Sequence, residues 1–248
     1  MSTATVGTTD LKVGASPPAR IAGLFYLLVF LFNGSVLFIR GGLVISGDAA
    51  ATASNILAHA SRFWLGFTCH LVMIACFIVV TALFYELFKP VNRNVSLLAA
   101  FFSLVGCTTQ TFSFLFYIAP LVVLQDASSL GAFKPEQLQA MALILLLNVK
   151  ASNIGSAFFR FYCLLIGYFV FRSAFVPRVL GVLMMFAGVG GLTLLYPPLA
   201  SSLRPYNLVP VLLGEGSLTL WLLAMGINVE RWKEQAGLQA LLSDRSLT

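Results

Sequence analysis

Several polar and ionisable side chains lie inside long apolar runs of this sequence, where charged groups are costly. Arg160 and Glu215 carry opposite charges, and His70 is an imidazole that could exchange a proton near neutral pH. Amide side chains occur in comparable surroundings at Asn33 and Gln110. An ionisable group within an apolar segment indicates a functional site, so these residues are the first candidates for ligand binding or proton transfer.

Arg160 belongs to a polar stripe. Ser152, Asn153, Ser156 and Arg160 fall within about 100° of arc on a helix, which should turn them toward the interior of a bundle. An unpaired charge there would cost several kcal/mol, so we expect Arg160 and Glu215 to neutralise each other. Two interpretations remain open. The pair either fixes two helices, with the other polar groups bonding between helices, or it lines a polar cavity that opens outward.

The composition excludes an ordinary soluble domain. Of the 248 residues 59% are hydrophobic and 10% are charged, with a mean hydropathy of +0.92, whereas a soluble domain carries about 25% charged residues. The lipid bilayer is therefore the expected partner. The formal charge of +6 does not indicate nucleic-acid binding, because the basic residues stand singly at the ends of apolar runs and so act as topology determinants.

The apolar runs predict an all-α, polytopic membrane bundle of about six transmembrane helices within a domain of residues 19–228. The predicted spans are residues 21–39, 63–87, 95–123, 151–171, 179–195 and 209–227. Short interfacial helices are expected in the outer loops, from an N-cap at Asp48 to His59 and from Pro135 to Val149. Residues 1–18 read as a disordered cytoplasmic tail and residues 229–248 as a charged cytoplasmic tail, with Trp232 as an interfacial anchor.

The distribution of Lys and Arg predicts the orientation. With the N-terminus inside, the cytoplasmic segments hold Lys12, Arg20, Lys89, Arg93, Arg172, Arg178, Arg231, Lys233 and Arg245, and the outer loops hold Arg40, Arg62, Lys134 and Arg204. The short turns are also the basic ones, where this rule applies best. Both termini are therefore predicted to be cytoplasmic.

A set of short motifs carries a family resemblance. They are Arg20-Ile21-Ala22-Gly23-Leu24, Lys89-Pro90-Val91-Asn92-Arg93, Gly167-Tyr168 with Phe171-Arg172-Ser173, Pro177-Arg178-Val179-Leu180-Gly181, and Gly214-Glu215. As a set they resemble a family of prokaryotic multi-pass membrane proteins, the domain of unknown function DUF4386. The resemblance implies a bacterial inner-membrane location, and it implies no reaction, substrate or cofactor.

No cofactor, metal site or catalytic residue is predicted. Cys69, Met73 and Cys76 form a stripe of soft ligands, but such residues usually pack in a core. The sequence contains only two histidines, which argues against a haem held by a histidine pair, and HExxH, GxSxG and Walker motifs are absent.

Three functional classes remain. The favoured one is the binding or transport of a small molecule or ion through an outward-facing polar cavity. An intramembrane enzyme acting on a lipid-like substrate and an accessory or assembly subunit are the alternatives. The candidate ligand-binding residues are Arg160, Glu215, His70, Asn33, Gln110 and Asn153.

Overall fold

A computed structural model of the chain describes residues 19–45, 47–126, 130–148, 152–203, 206 and 208–245. This described part consists of helices and turns, without a β-strand. The helices are α1 (Ala19–Arg40), α2 (Ala49–Ala58), α3 (Ala60–Phe88), α4 (Arg93–Gln125), α5 (Pro135–Asn148), α6 (Ser152–Arg172), α7 (Arg178–Leu192), α8 (Pro197–Ser202), α9 (Leu208–Ala224) and α10 (Val229–Arg245). The predicted all-α class is confirmed. The predicted tail of residues 1–18 lies outside the described residues.

Local sequence signals set the helix boundaries. The Asp48 side chain accepts a hydrogen bond from the Ala51 amide at 2.8 Å, which confirms it as the N-cap of α2. Asn92 caps α4 in the same way, through the Val95 amide at 3.1 Å. Pro135 begins α5, as the sequence predicts. The six predicted spans correspond to α1, α3, α4, α6, α7 and α9, with a 3-10 turn extending α7.

Those six helices of the described chain pack side by side in chain order and close into a ring. α1 packs against α3, α3 against α4, α4 against α6, α6 against α7 and α7 against α9, and α9 returns to α1. Short turns join α3 to α4 and α6 to α7 at one end, which also holds the start of α1. We call this the basic end, because Arg20, Lys89, Arg93, Arg172 and Arg178 lie there. The opposite end, with α2, α5 and α8, is the far end.

The outside of the ring is apolar. Phe38 is 82% exposed, and Val179 and Leu212 are each 61% exposed, so this surface requires a lipid solvent. Four helices of the described residues are long and apolar enough to cross a membrane, or five if α9 and α10 count as one bent span. The sequence predicts about six spans because it also counts α6, which is 21 residues long and includes Arg160, and counts α9 without α10. The chain forms a helical membrane bundle.

Glycines let α7 lie unusually close to α6. A Cβ atom on Gly181 would stand 2.7 Å from the Gly167 carbonyl oxygen, closer than real Cβ contacts allow. Small residues permit such backbone approach, which is a common basis of helix association in membranes. The close approach of α7 matters for the site, because a side chain of α6 has to pass α7 to reach α9.

The chain bends sharply after α9. Gly226 has φ +71°, and its amide donates to the carbonyls of Trp221 and Leu222, which ends α9. The following α10 lies at 106° to α9, across the basic end. Trp232 is buried, and its indole N–H donates to the Leu87 carbonyl oxygen at 2.9 Å. The interpretation of Trp232 as an interfacial anchor is therefore wrong: it satisfies one of the last carbonyls of α3, which have no partner within their own helix.

Candidate functional site

An ion pair joins α6 to α9 inside the ring. The Arg160 Nη1 donates to Glu215 Oε1 at 2.5 Å. The two side chains are only 15% and 10% exposed, so each charge would be unfavourable without the other. The expected neutralisation of these two residues is present in the structure.

Glu215 also accepts hydrogen bonds from two neutral side chains. The Tyr26 hydroxyl on α1 donates to Oε2 at 2.9 Å, and the Cys163 thiol on α6 lies 3.6 Å from Oε1 as a weak donor. Both neighbours are buried. The carboxylate therefore joins α1, α6 and α9 through three hydrogen-bond donors.

Sequence reasoning missed Tyr26 and Cys163, although the spacing contained a signal. Tyr26 precedes Asn33 by seven residues, close to two helical turns, and Cys163 follows Arg160 by three. Residues at these spacings share a helix face, so Cys163 belongs on the face predicted to point inward and Tyr26 on the face of the candidate residue Asn33.

Gly191 makes room for the Arg160 side chain on its way past α7. A Cβ atom on Gly191 would overlap Arg160 Cδ and would lie 2.6 Å from its Nε. The Nε atom is buried and makes no hydrogen bond to the described residues. A residue larger than glycine at position 191 would require the Arg160 side chain to shift from its present path to Glu215.

A cavity of about 200 Å³ adjoins the pair on the side of the far end. Its polar wall consists of Asn33, Gln110, Ser156, Arg160 and Glu215. Its apolar wall consists of Val29, Phe30, Met73, Ile74, Phe77, Phe159, Cys163 and Val211. The Gln110 amide nitrogen donates to the Ser156 hydroxyl at 3.3 Å, which links α4 to α6 within the polar wall. The cavity thus offers both hydrogen-bonding groups and aromatic rings.

Four of the six predicted site residues meet at this cavity. Asn33, Gln110, Arg160 and Glu215 come from four different helices and all border the open space. Asn33 is exposed and lies in the half of α1 that approaches the far end of the bundle, whereas Glu215 is buried. Asn153 lies in the first turn of α6, and its side chain is outside the described residues. A role for these residues in ligand binding stays a prediction.

His70 is not part of the cavity. Its ring is buried and stacks on the Phe114 ring, with the two centroids 3.6 Å apart and the planes 6° apart. Ile74 and Phe77, on the same face of α3 as His70, line the cavity. One turn closer to the far end, at His70, α3 meets aromatic residues of α4 instead of open space. Sequence periodicity predicts which residues share a helix face, but it does not predict which residues of a neighbouring helix pack against that face.

The described residues contain no group of three or more His, Cys, Asp or Glu side chains that could hold a metal ion. Cys76 is buried and Cys69 is partly buried, each as a free thiol. Cys163 places its thiol 3.6 Å from the Glu215 carboxylate.

Comparison with known families assigns the chain. A family model described as Domain of unknown function (DUF4386) matches residues 21–226. The chain belongs to this family. The DUF4386 segment contains the Arg160–Glu215 pair and ends at Gly226, so α10 lies beyond it. No curated protein and no solved structure matches the chain.

Proposed function

We propose that this DUF4386 protein is a multi-pass protein of the bacterial inner membrane that binds a small molecule in the cavity beside Arg160 and Glu215, as a transporter or receptor does. One observation carries the proposal: four helices direct polar side chains at the same open space, next to a buried ion pair. Polar groups beside an empty space at membrane depth are costly unless water or a ligand satisfies them.

The proposed orientation places both termini in the cytoplasm and the six ring helices across the membrane. It is supported by the concentration of arginine and lysine at the basic end. In this orientation the cavity opens toward the outer side, because it lies between the ion pair and the far end. A ligand would enter past Asn33, which is the exposed member of the polar wall.

The chemistry of the walls defines the class of ligand. A guanidinium group has five N–H donors, and among the described residues Arg160 directs one hydrogen bond to Glu215. The remaining donors favour a ligand with a carboxylate or carbonyl oxygen. A bare metal cation fits poorly, because Arg160 already neutralises Glu215. The rings of Phe30, Phe77 and Phe159 would cover an apolar part of the same small molecule.

Native mass spectrometry of the protein, extracted gently from its own membrane, tests the proposal. The informative variant replaces both charges, as Arg160→Met with Glu215→Leu. Removing both partners of a buried pair leaves no isolated charge, so the fold should survive. Ser217→Ala is the matched control, because its hydroxyl bonds to Gly214 in its own helix and does not line the cavity. We expect a bound small mass on the parent and the control that is absent from the double variant.

An opposite result would exclude ligand binding at this site. If the parent and the double variant both carry only bulk lipid, the pair serves to fix the helices. If the same small mass remains on the double variant, its binding site is elsewhere in the protein.

A further inference from the structure

A second cavity lies at the basic end, at the junction of α9 and α10, and it shares no residue with the cavity beside Glu215. Its volume is about 410 Å³. The turn between α6 and α7 forms one side, with Phe175 and Pro177, and the end of α9 forms the other, with Trp221 and Met225. The third side is Arg231 at the start of α10.

One guanidinium group, that of Arg231, lines this second cavity, and a second, that of Arg20, lies beside the lining residue Gly226. Arg231 lines it and donates from Nη1 to the Ala174 carbonyl oxygen at 3.4 Å. Arg20 lies beside Gly226. If that glycine carried a Cβ atom, the atom would be 3.6 Å from Arg20 Cγ and 3.8 Å from Arg20 Nε. Neither arginine belongs to the ion pairs that the described residues form, Glu86–Lys89 and Arg160–Glu215. The carboxylates nearest in sequence, Glu230 and Glu234, are exposed and do not line the cavity.

The remaining wall is apolar and reaches the outside of the bundle. Trp221 is partly buried and Met225 is 64% exposed, next to Leu220 at 61%. Trp221 lies in the last turn of α9 and Met225 directly follows the helix, at the boundary of the membrane-spanning ring. The cavity therefore combines a cationic donor, Arg231, with exposed apolar groups. A free phosphate ion would use only the first of these two features.

We propose that this second cavity binds the headgroup of an anionic phospholipid from the leaflet at the basic end. Arg20 and Arg231 contact the phosphate oxygens, and one hydrocarbon chain lies along Trp221 and Met225. Guanidinium groups match phosphate geometry with paired donors. Basic pockets at the ends of membrane helices are suited to such lipids, and a tryptophan at this depth lies at the headgroup boundary.

The test measures lipid retention by the full chain in mild detergent with native mass spectrometry. Phosphatidylglycerol and phosphatidylcholine of equal chain length are added in turn. We expect the parent to retain phosphatidylglycerol preferentially. The double variant Arg20→Gln with Arg231→Gln should retain it about tenfold less, because each basic residue contributes to anionic lipid binding. Lys233→Gln is the matched control: it removes the same charge from α10 outside the cavity and should bind like the parent.

Further arms separate the alternatives. Arg20→Lys with Arg231→Lys keeps both charges, so this variant should retain most of the lipid. If the two arginines serve only to hold the fold, both double variants should lose the lipid to the same extent. The proposal would be overturned if the parent retained the two lipids equally. It would also be overturned if Lys233→Gln lost as much phosphatidylglycerol as Arg20→Gln with Arg231→Gln. Displacement of phosphatidylglycerol by millimolar inorganic phosphate would instead assign the site to the free ion. These outcomes are independent of any ligand bound beside Glu215.

Discussion

Glu215 takes its properties from the donors around it. Arg160, Tyr26 and Cys163 all direct hydrogen atoms at its carboxylate, which is nearly withdrawn from solvent. Because these donors come from two other helices, the carboxylate fixes their relative positions, and it also forms the floor of a cavity. One residue therefore carries both a structural and a proposed binding role, and substitutions have to be chosen to separate the two.

Glu215→Gln should destabilise the protein more than the removal of both charges. The single change leaves the Arg160 guanidinium buried without a counterion, which costs about 3–5 kcal/mol, whereas replacing both partners by apolar residues is close to neutral. Thermal unfolding in detergent, followed by circular dichroism, measures the difference. Equal stabilities for Glu215→Gln and for Arg160→Met with Glu215→Leu would contradict this account of the pair.

Gly191→Ala should displace Arg160 and destabilise the bundle. The added methyl group would overlap the arginine side chain, and such overpacking costs about 1–3 kcal/mol. Gly216→Ala is the control, since a Cβ there meets nothing within 4 Å and alanine favours a helix interior by about 1 kcal/mol. The unfolding temperature should fall for the first variant and rise slightly for the second. A fall of similar size in both would show that helix α7 does not confine Arg160.

At the residue scale, opposite charges deep in apolar runs were enough to predict the pairing of Arg160 with Glu215. The position of His70 could not be predicted, because Phe114 comes from another helix and its register against α3 depends on packing. Gly191 was recognisable only as a small residue. Its specific role follows from the path of one side chain across a neighbouring helix.

Among the elements, α10 makes specific hydrogen bonds at the basic end. Its Trp232 donates to α3, and Gln235 accepts a hydrogen bond from the Ala174 amide in the turn between α6 and α7 at 3.3 Å. Asn228, just before α10, donates its amide to the Phe175 carbonyl oxygen at 3.1 Å. Residues in and just before α10 therefore connect the end of α3 to the turn between α6 and α7.

Trp232→Ala should weaken this connection. Loss of a buried tryptophan ring costs about 3–5 kcal/mol, and Trp232→Phe, which keeps most of the ring contacts and loses the hydrogen bond, should cost about 1 kcal/mol. The exposed Leu238 provides a control, Leu238→Ala, with an expected effect within about 0.5 kcal/mol. Limited proteolysis measures release of the helix. Cleavage within α10 at the same rate in Trp232→Ala and the parent would contradict the docking role.

The membrane helices could be predicted from sequence because long apolar runs bounded by basic residues and prolines have one physical interpretation. The docking of α10 could not, since its composition is polar and a charged segment reads as solvated. The signal was a single residue, Trp232, and a tryptophan beside a membrane is equally compatible with the lipid interface.

For the whole molecule, the orientation is the next property to test. A reporter that is active only outside the cytoplasm, fused after Lys134, should be active because α5 begins there at the far end. The same reporter fused after Lys233 should be inactive, and a cytoplasmic reporter should give the reverse pattern. Activity of the first reporter after Lys233 would invert the orientation and place the cavity beside Glu215 on the cytoplasmic side.

The order of the helices around the ring was beyond sequence analysis. Apolar length predicts that helices cross, and charge predicts which ends lie together, but the return of α9 to α1 depends on close contacts. A Cβ on Gly23 of α1 would stand 2.6 Å from the Leu223 amide nitrogen of α9. Such backbone proximity is recognisable only once the two helices have been placed side by side.

The closed ring has a consequence for how the protein is made. Helices leave the ribosome in chain order, and α6 enters the membrane well before α9. Until α9 arrives, Arg160 has no counterion, and an isolated arginine in a bilayer is costly. A nascent chain interrupted before Leu208 would therefore hold an unneutralised charge inside an open ring. The arrival of Glu215 both closes the ring and neutralises that charge, so the bundle gains its stable form only with the last helix of the ring.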